Sequence, residues 1–324
     1  MSLRFGSTAS TPAVEGHLVT RQPRRLWRKV VRLRALYAMA LPVLACFVVL
    51  KYWPMLLQFV VALKDYQLGR GIFGSRWVGL RNFVQVFNTT DFLAVLSNTV
   101  EISLLRLVFG FFPPLILAIL LHDLWSKRFR RVAQTLIYIP HFFSWVIIYG
   151  LAYSIFAPGS GMINKLLVSL GGQRIDFLTS PLWFRPLIIG TALFKELGWG
   201  TIIYLAALSS IDPQLYEAAA IDGAGPIKRL IHITIPSIQD VIIFLLMIAL
   251  GFILHAGGEQ ILLFLSGPTM RVGDIIDTWV YRHGLVNMEY SFATAVGLFQ
   301  SLFGMALIIA ANQLARRYAG RGLW

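Results

Sequence analysis

The chain has 324 residues, of which 57% are hydrophobic and 14% charged, and its mean hydropathy is +0.68. A soluble domain keeps apolar residues near half and rarely exposes large apolar patches, so this composition excludes an ordinary water-soluble fold and calls for a bilayer. The 29 Lys and Arg against 15 Asp and Glu would suit a nucleic-acid partner by number, but they crowd into short segments beside apolar runs, the habit of cytoplasmic loops, so no nucleic acid is expected.

Residues 1–35 are polar and basic, with Arg21, Arg24, Arg25, Arg28, Lys29, Arg32 and Arg34 ahead of the first apolar run. Trp27, Val30, Val31 and Leu33 are interleaved with them, which allows either a short helix on the cytoplasmic membrane surface or a basic tail that only fixes orientation. The first ~20 residues lack the charged, apolar and cleavage regions of a secretory signal, so no removable signal peptide is expected.

A helical span needs ~20 mostly apolar residues. Six runs qualify: Leu36–Leu63, Ala94–Leu121, Ala133–Phe156, Phe184–Leu208, Val241–Leu265 and Phe292–Asn312. They are continuous rather than alternating, which favours helices over a barrel. The expectation is an all-α integral membrane protein of about six transmembrane helices. With the N-terminus inside, segments 1–35, 122–132, 210–236 and 313–324 carry 17 Lys and Arg, against 8 in 64–93, 157–183 and 266–291. Both termini are therefore expected in the cytoplasm. The organisation follows: a basic segment 1–35, a first span with an outer cap over 36–93, a core over 94–312, and a tail over 313–324. In the outer segments, glycine and Pro158 turns flank expected short helices at Ile163–Leu170 and Ile275–Tyr281. Cys46 lies alone in an apolar run, so no intramolecular disulfide is available.

One internal segment, 210–236, is far more specific than the rest. Asp212 is a good N-cap and Pro213 a good first helical residue. Leu215 to Ile221 is a strong helix former that ends at Gly223, where left-handed dihedrals are cheap. Pro226 opens a second helix, which Pro236 stops or separates from the fifth span. Small Ala218, Ala219 and Ala220 permit close approach, and Glu217 offers a charge to a partner. By helix physics the pair suits docking into a groove on another protein or, equally, a plain connection between spans.

The spacing of Glu217, Ala218, Ala219, Gly223, Ile233 and Pro236 resembles the EAA motif of permease subunits of bacterial ABC importers, with Ile235 where the family usually has Leu. Tyr52-Trp53-Pro54, Trp77-Val78-Gly79-Leu80, Pro140-His141-Phe142 and Gly284-Leu285 resemble the carbohydrate branch, and the likeness covers roughly residue 30 to the end. The resemblance implies a type I ABC importer permease fold in the bacterial inner membrane. It implies an oligo- or polysaccharide substrate of the acidic, alginate-like kind. The implied partners are a second, different permease, two ATPase subunits and a periplasmic solute-binding protein. It further implies that Glu217, Ala218, Ala219, Ala220, Asp222, Gly223, Ala224 and Gly225 form the coupling element seated in an ATPase cleft.

No phosphate-binding loop of the Gly-x-x-x-x-Gly-Lys type occurs, and neither His nor Cys residues show metal-ligand spacing. The chain is thus expected to be no enzyme and to hold no cofactor, with ATP and Mg on the partner ATPase. Charged residues inside spans are costly and usually face a cavity or a partner. Lys195, Glu196 and Trp199 in the fourth run, and His255, Glu259 and Gln260 in the fifth, are the candidates for a substrate path, as the resemblance implies for these two spans. Trp199 would stack on a sugar ring and Lys195 attract a carboxylate. The alternative is that Lys195 and Glu196 serve contacts between helices. Glu101 and Arg106 read as structural, and Gly257-Gly258 as close packing. A gradient-driven secondary transporter, which would show inverted repeats and broken midplane helices, and a membrane anchor for a soluble enzyme are the competing classes.

Overall fold

The computed structural model describes residues 32–124 and 126–319. The chain falls into two units, 1–57 and 58–324; the boundary lies inside the first apolar run, Leu36–Leu63. Most of the basic N-terminal segment, residues 1–31, is outside the described residues.

In the first unit the helix Arg34–Phe47 passes through Pro42 and widens into a π-helical stretch at Val48–Tyr52. Prolines remove a backbone donor, and a π-type widening is one way a long helix accommodates the defect. Every residue of Arg34–Phe47 is exposed, as suits a helix whose surroundings are lipid or another chain. The whole helical stretch is Arg34–Ala62.

The second unit begins with a cap. Strands Lys64–Asp65 and Arg76–Trp77 pair antiparallel. The buried Lys64 ammonium donates to the carbonyls of Ile72 (2.8 Å) and Phe73 (3.1 Å), and the Asn82 amide donates to those of Ala62 (2.7 Å) and Lys64 (2.9 Å). Burial of these polar groups is therefore compensated. The helix Phe92–His122 then runs 31 residues without interruption. Pro113 and Pro114 are accommodated within it, and Pro114 packs where Gly200 of the fourth span leaves room: a Cβ on Gly200 would stand 2.9 Å from that ring.

The third apolar run does not form one straight crossing. Lys127–Phe142 and Trp145–Phe156 meet at 104°. Pro140 lies in a 3-10 turn, Ile139–Phe142, and Ser144 caps the next helix by accepting from Ile147 N–H. The local chemistry of proline and an N-cap overrides the continuous hydrophobicity of Ala133–Phe156. The fourth span, Pro181–Leu208, is continuous.

The fifth run is also redrawn. Its helix is Gln239–Gly251, bent 64° from the preceding Pro226–Ser237. The chain then leaves helical form over 252–257 and resumes at Gly258–Phe264. Thirteen residues reach only about 20 Å, less than the hydrocarbon thickness, so this helix by itself is too short to cross. The last helix, Tyr290–Ala319, closes the bundle. Four helices are long and apolar enough to cross a bilayer, or up to six if each bent pair is one span.

Among the described residues, four buried clusters hold the second unit together, the smallest formed by Ala62, Ala295 and Leu298. Phe92, Val95, Trp279 and Phe292 pack in one, Ile102, Phe184, Ile188 and Ile261 in another, and Ala118, Leu121, Tyr204 and Leu208 with Ile238 in a third. The short helices Met162–Ser169 and Ile276–Tyr281 stand where they were expected. Near the latter, the Asp274 carboxylate accepts from both Arg282 nitrogens (2.8 and 2.5 Å) and holds that guanidinium above its ordinary pKa, chiefly by the hydrogen bond.

Candidate functional site

The segment 210–236 is built by its local chemistry. The Asp212 side chain accepts from Gln214 N–H at 2.9 Å, and Pro213 opens the helix Pro213–Ile221. The helix closes when Gly223 turns left-handed at φ +73° and Ala224 N–H reaches back to Ala219 O at 2.8 Å. Pro226 begins the second helix behind Gly225. Two bonds make the pair one body: Arg229 Nε donates to Ala224 O (2.7 Å), and the hydroxyls of Tyr216 and Thr234 lie 3.0 Å apart.

What this body presents is unusual for a connection. Glu217, Ala218, Ala220, Asp222, Gly223 and Gly225 are exposed, and Ala219 and Ala224 half-buried. Ile221 and Ile227 stand 87% and 72% exposed beside them. Two large aliphatic side chains on a rigid, mostly uncharged elbow form the kind of surface that a helix-in-groove contact would cover.

The second group of candidates is divided by the fold. Lys195 is buried and its ammonium donates to the carbonyls of His141 (2.6 Å) and Phe143 (2.7 Å). Those carbonyls lie at the break in the third crossing, where the helix no longer provides donors and lipid offers none. Lys195 therefore caps a broken helix, which takes two of the three N–H donors of its ammonium. Glu196 accepts from His141 Nδ1 at 3.2 Å. The Trp199 ring stacks on the same imidazole, centroids 4.5 Å apart and planes 7° from parallel, so one of its faces is already occupied. Trp199 nonetheless remains half exposed.

Across the core, Gln260 is fully buried, its amide donating to Ile188 O (2.8 Å) and Thr191 Oγ1 (2.7 Å), and its oxygen accepting from Arg106. His255 Nδ1 lies 3.4 Å from Asp277, and Gln300 bonds the same carboxylate at 3.0 Å. Glu259 is exposed at the start of its helix. Glu101 is paired with Arg185. Gly257 and Gly258 lie where a Cβ would run into the Arg106 guanidinium and the Asp277 side chain, respectively. Arg106, His141 and Asp277 belong with the candidates but were not singled out as such in the sequence. Arg106 was legible as a lone cation in a long apolar run, whereas Asp277 gives no sign in the sequence of facing His255.

Arg106 and His255 share with Ser103, Phe111, Tyr204 and Phe252 a cavity of about 330 Å³. A smaller one of about 90 Å³ joins Arg106 to Glu196. Residues 110–320 match the family described as binding-protein-dependent transport system inner membrane component. The chain belongs to that family. The permease is 42% identical over 317 residues, 98% of each chain, to the polygalacturonan/rhamnogalacturonan transport system permease protein YteP of Bacillus subtilis (strain 168). It is 30% identical over 288 residues to the sn-glycerol-3-phosphate transport system permease protein UgpA of Yersinia enterocolitica, covering 88% of this chain and 94% of the relative. In structure it resembles a chain of a bacterial alginate ABC transporter solved with an alginate pentasaccharide-bound periplasmic protein. That match has a TM-score of 0.84 at 38% identity, over 92% of this chain and all of the other. The permease is thus a multi-pass membrane protein with the type I ABC importer fold. Membership decides against the gradient-driven carrier.

Proposed function

We propose that this permease imports acidic oligosaccharide fragments, uronate-containing ones in particular, across a bacterial inner membrane by alternating access. It does so beside a second permease, with an external solute-binding protein delivering the sugar and two ATPase subunits supplying ATP and Mg. What carries the reading is the elbow 213–227: a rigid body bearing exposed Glu217, Ile221, Gly223 and Ile227, which none of the described residues covers. A surface of that kind needs a partner, and in a chain without a phosphate-binding loop that partner is the ATPase. The substrate class draws on the relatives, whose names concern polygalacturonan, rhamnogalacturonan and alginate. In this reading the termini and the elbow lie in the cytoplasm, segment 94–312 is the translocating core with 36–93 supplying a span and outer cap, and the cavity at Arg106 and His255 opens onto the path. Coupling then runs through packed elements that move as bodies when the ATPase halves close.

The test is uptake into vesicles carrying the complete complex. Uronate oligosaccharide should enter only when ATP is inside the ATPase-bearing compartment and binding protein is on the opposite side. Entry driven by a proton gradient without ATP would refute the proposal.

A further inference from the structure

The polar side chains of the core can be sorted by what they hold. Lys195 caps the freed carbonyls of the third crossing. Gln300 donates to Leu254 O (3.0 Å) and Asp277 (3.0 Å) beside the interruption at 252–257. Glu196 and Asp277 each face an imidazole, and Glu101 faces Arg185. Arg106 is left over. It lies near the midpoint of the 31-residue helix Phe92–His122, and no carboxylate stands within ion-pair distance of it among the described residues. A guanidinium has five N–H donors; here one nitrogen bonds Gln260, while Nε is buried without a partner.

The position is nevertheless built, not accidental. Gln260 is locked by Ile188 O and Thr191 and so fixes the guanidinium. Gly257 takes φ +87° and offers a flat surface against that group, where any side chain would collide with it. Two cavities, of about 330 and 90 Å³, are lined by Arg106. A cation held at midspan with spare donors carries a desolvation cost that an entering anion relieves and a neutral sugar does not. The planar fork matches a carboxylate in a way that an ammonium cannot.

We infer that Arg106 is the specificity-determining residue of the path, taking the carboxylate of a uronate ring as the saccharide passes. The inference rests on the proposed substrate class and gives the carboxylate to Arg106, because Lys195 is held by two carbonyls at the helix break. The experiment compares uptake of a uronate oligosaccharide and of the same oligosaccharide with its carboxyls reduced to alcohols, using the complete reconstituted complex. In R106Q, uronate uptake should fall about tenfold or more, as the loss of a charge-assisted bidentate contact implies, while the reduced sugar stays within about twofold. R106K, which keeps the charge but loses the fork, should show a smaller fall, again confined to the uronate. It also serves if R106Q does not assemble. A parallel fall for both sugars, or no fall for either, overturns the assignment. Wild-type complex that imports neither sugar overturns the substrate class, and the assignment with it.

Discussion

Replacement of the two glycines of the elbow separates a docking role from a merely conformational one. Gly223 is left-handed at φ +73°, and a Cβ there meets nothing within 4 Å. Its replacement by Ala therefore costs only the dihedral penalty, about 1–2 kcal/mol, and Asn, which tolerates this region, costs less. Gly225 has an ordinary φ of −67° and equally open surroundings, so G225L costs the chain itself less than about 1 kcal/mol. If only the turn's own geometry mattered, G223A would be the worst of the three and G225L nearly silent. If the elbow is seated in an ATPase cleft, bulk decides: G225L and G223N lose more coupling than G223A. A coupling loss of about 1.4 kcal/mol is tenfold. The assay is ATP-driven uptake in vesicles, normalised to assembled complex, with thermal stability in detergent as the control. G225L at full uptake would refute the docking argument.

Three further outcomes are expected. K195M leaves the carbonyls of His141 and Phe143 without donors, a loss of about 3 kcal/mol for charged hydrogen bonds. It should lower the unfolding midpoint by about 4 °C and reduce uptake of acidic and neutral sugars alike; a stable variant with only uronate uptake impaired would return the carboxylate role to Lys195. G198A places a methyl against the backbone of Ile137 and Tyr138, where the fourth span crosses the helix Lys127–Tyr138. Overpacking of about 1–3 kcal/mol should appear as a lower midpoint in the same assay, and an unchanged midpoint would show that the crossing yields. In a C46S background, I221C on the exposed tip of the elbow should react with an impermeant thiol reagent only from the cytoplasmic side; reaction from the outside would invert the topology.

Much of this architecture is legible in the sequence where one strong signal acts alone. The runs that became Phe92–His122, Pro181–Leu208 and Tyr290–Ala319 are long and uniformly apolar, and the elbow 213–227 carries a cap, a first-turn proline and a terminating glycine in register. The bends in the third and fifth runs were not foreseen because hydropathy averages over punctuation. Pro140 with Ser144, and Gly251 with Gly257-Gly258, were visible as local breakers, yet each sits within residues apolar enough to read as one span. Partners were the least legible feature. Nothing in the sequence says that Lys195 reaches two carbonyls fifty residues upstream, or that Trp199 lies flat on His141.

The breaks and the buried polar residues explain one another. A continuous helix in lipid needs no help from side chains, because its backbone groups are satisfied internally. Interrupt it, and each freed carbonyl demands a donor: Lys195 answers at Phe143, and Gln300 answers at Leu254. Each interruption also presents an imidazole, His141 or His255, to a carboxylate from a neighbouring element, Glu196 or Asp277. Cavities join Arg106 to His255 and to Glu196, so a guanidinium bonded only by Gln260 among the described residues faces groups committed elsewhere. Repair of the backbone accounts for the committed ones; it leaves the guanidinium unexplained unless something that is not part of this chain comes to meet it.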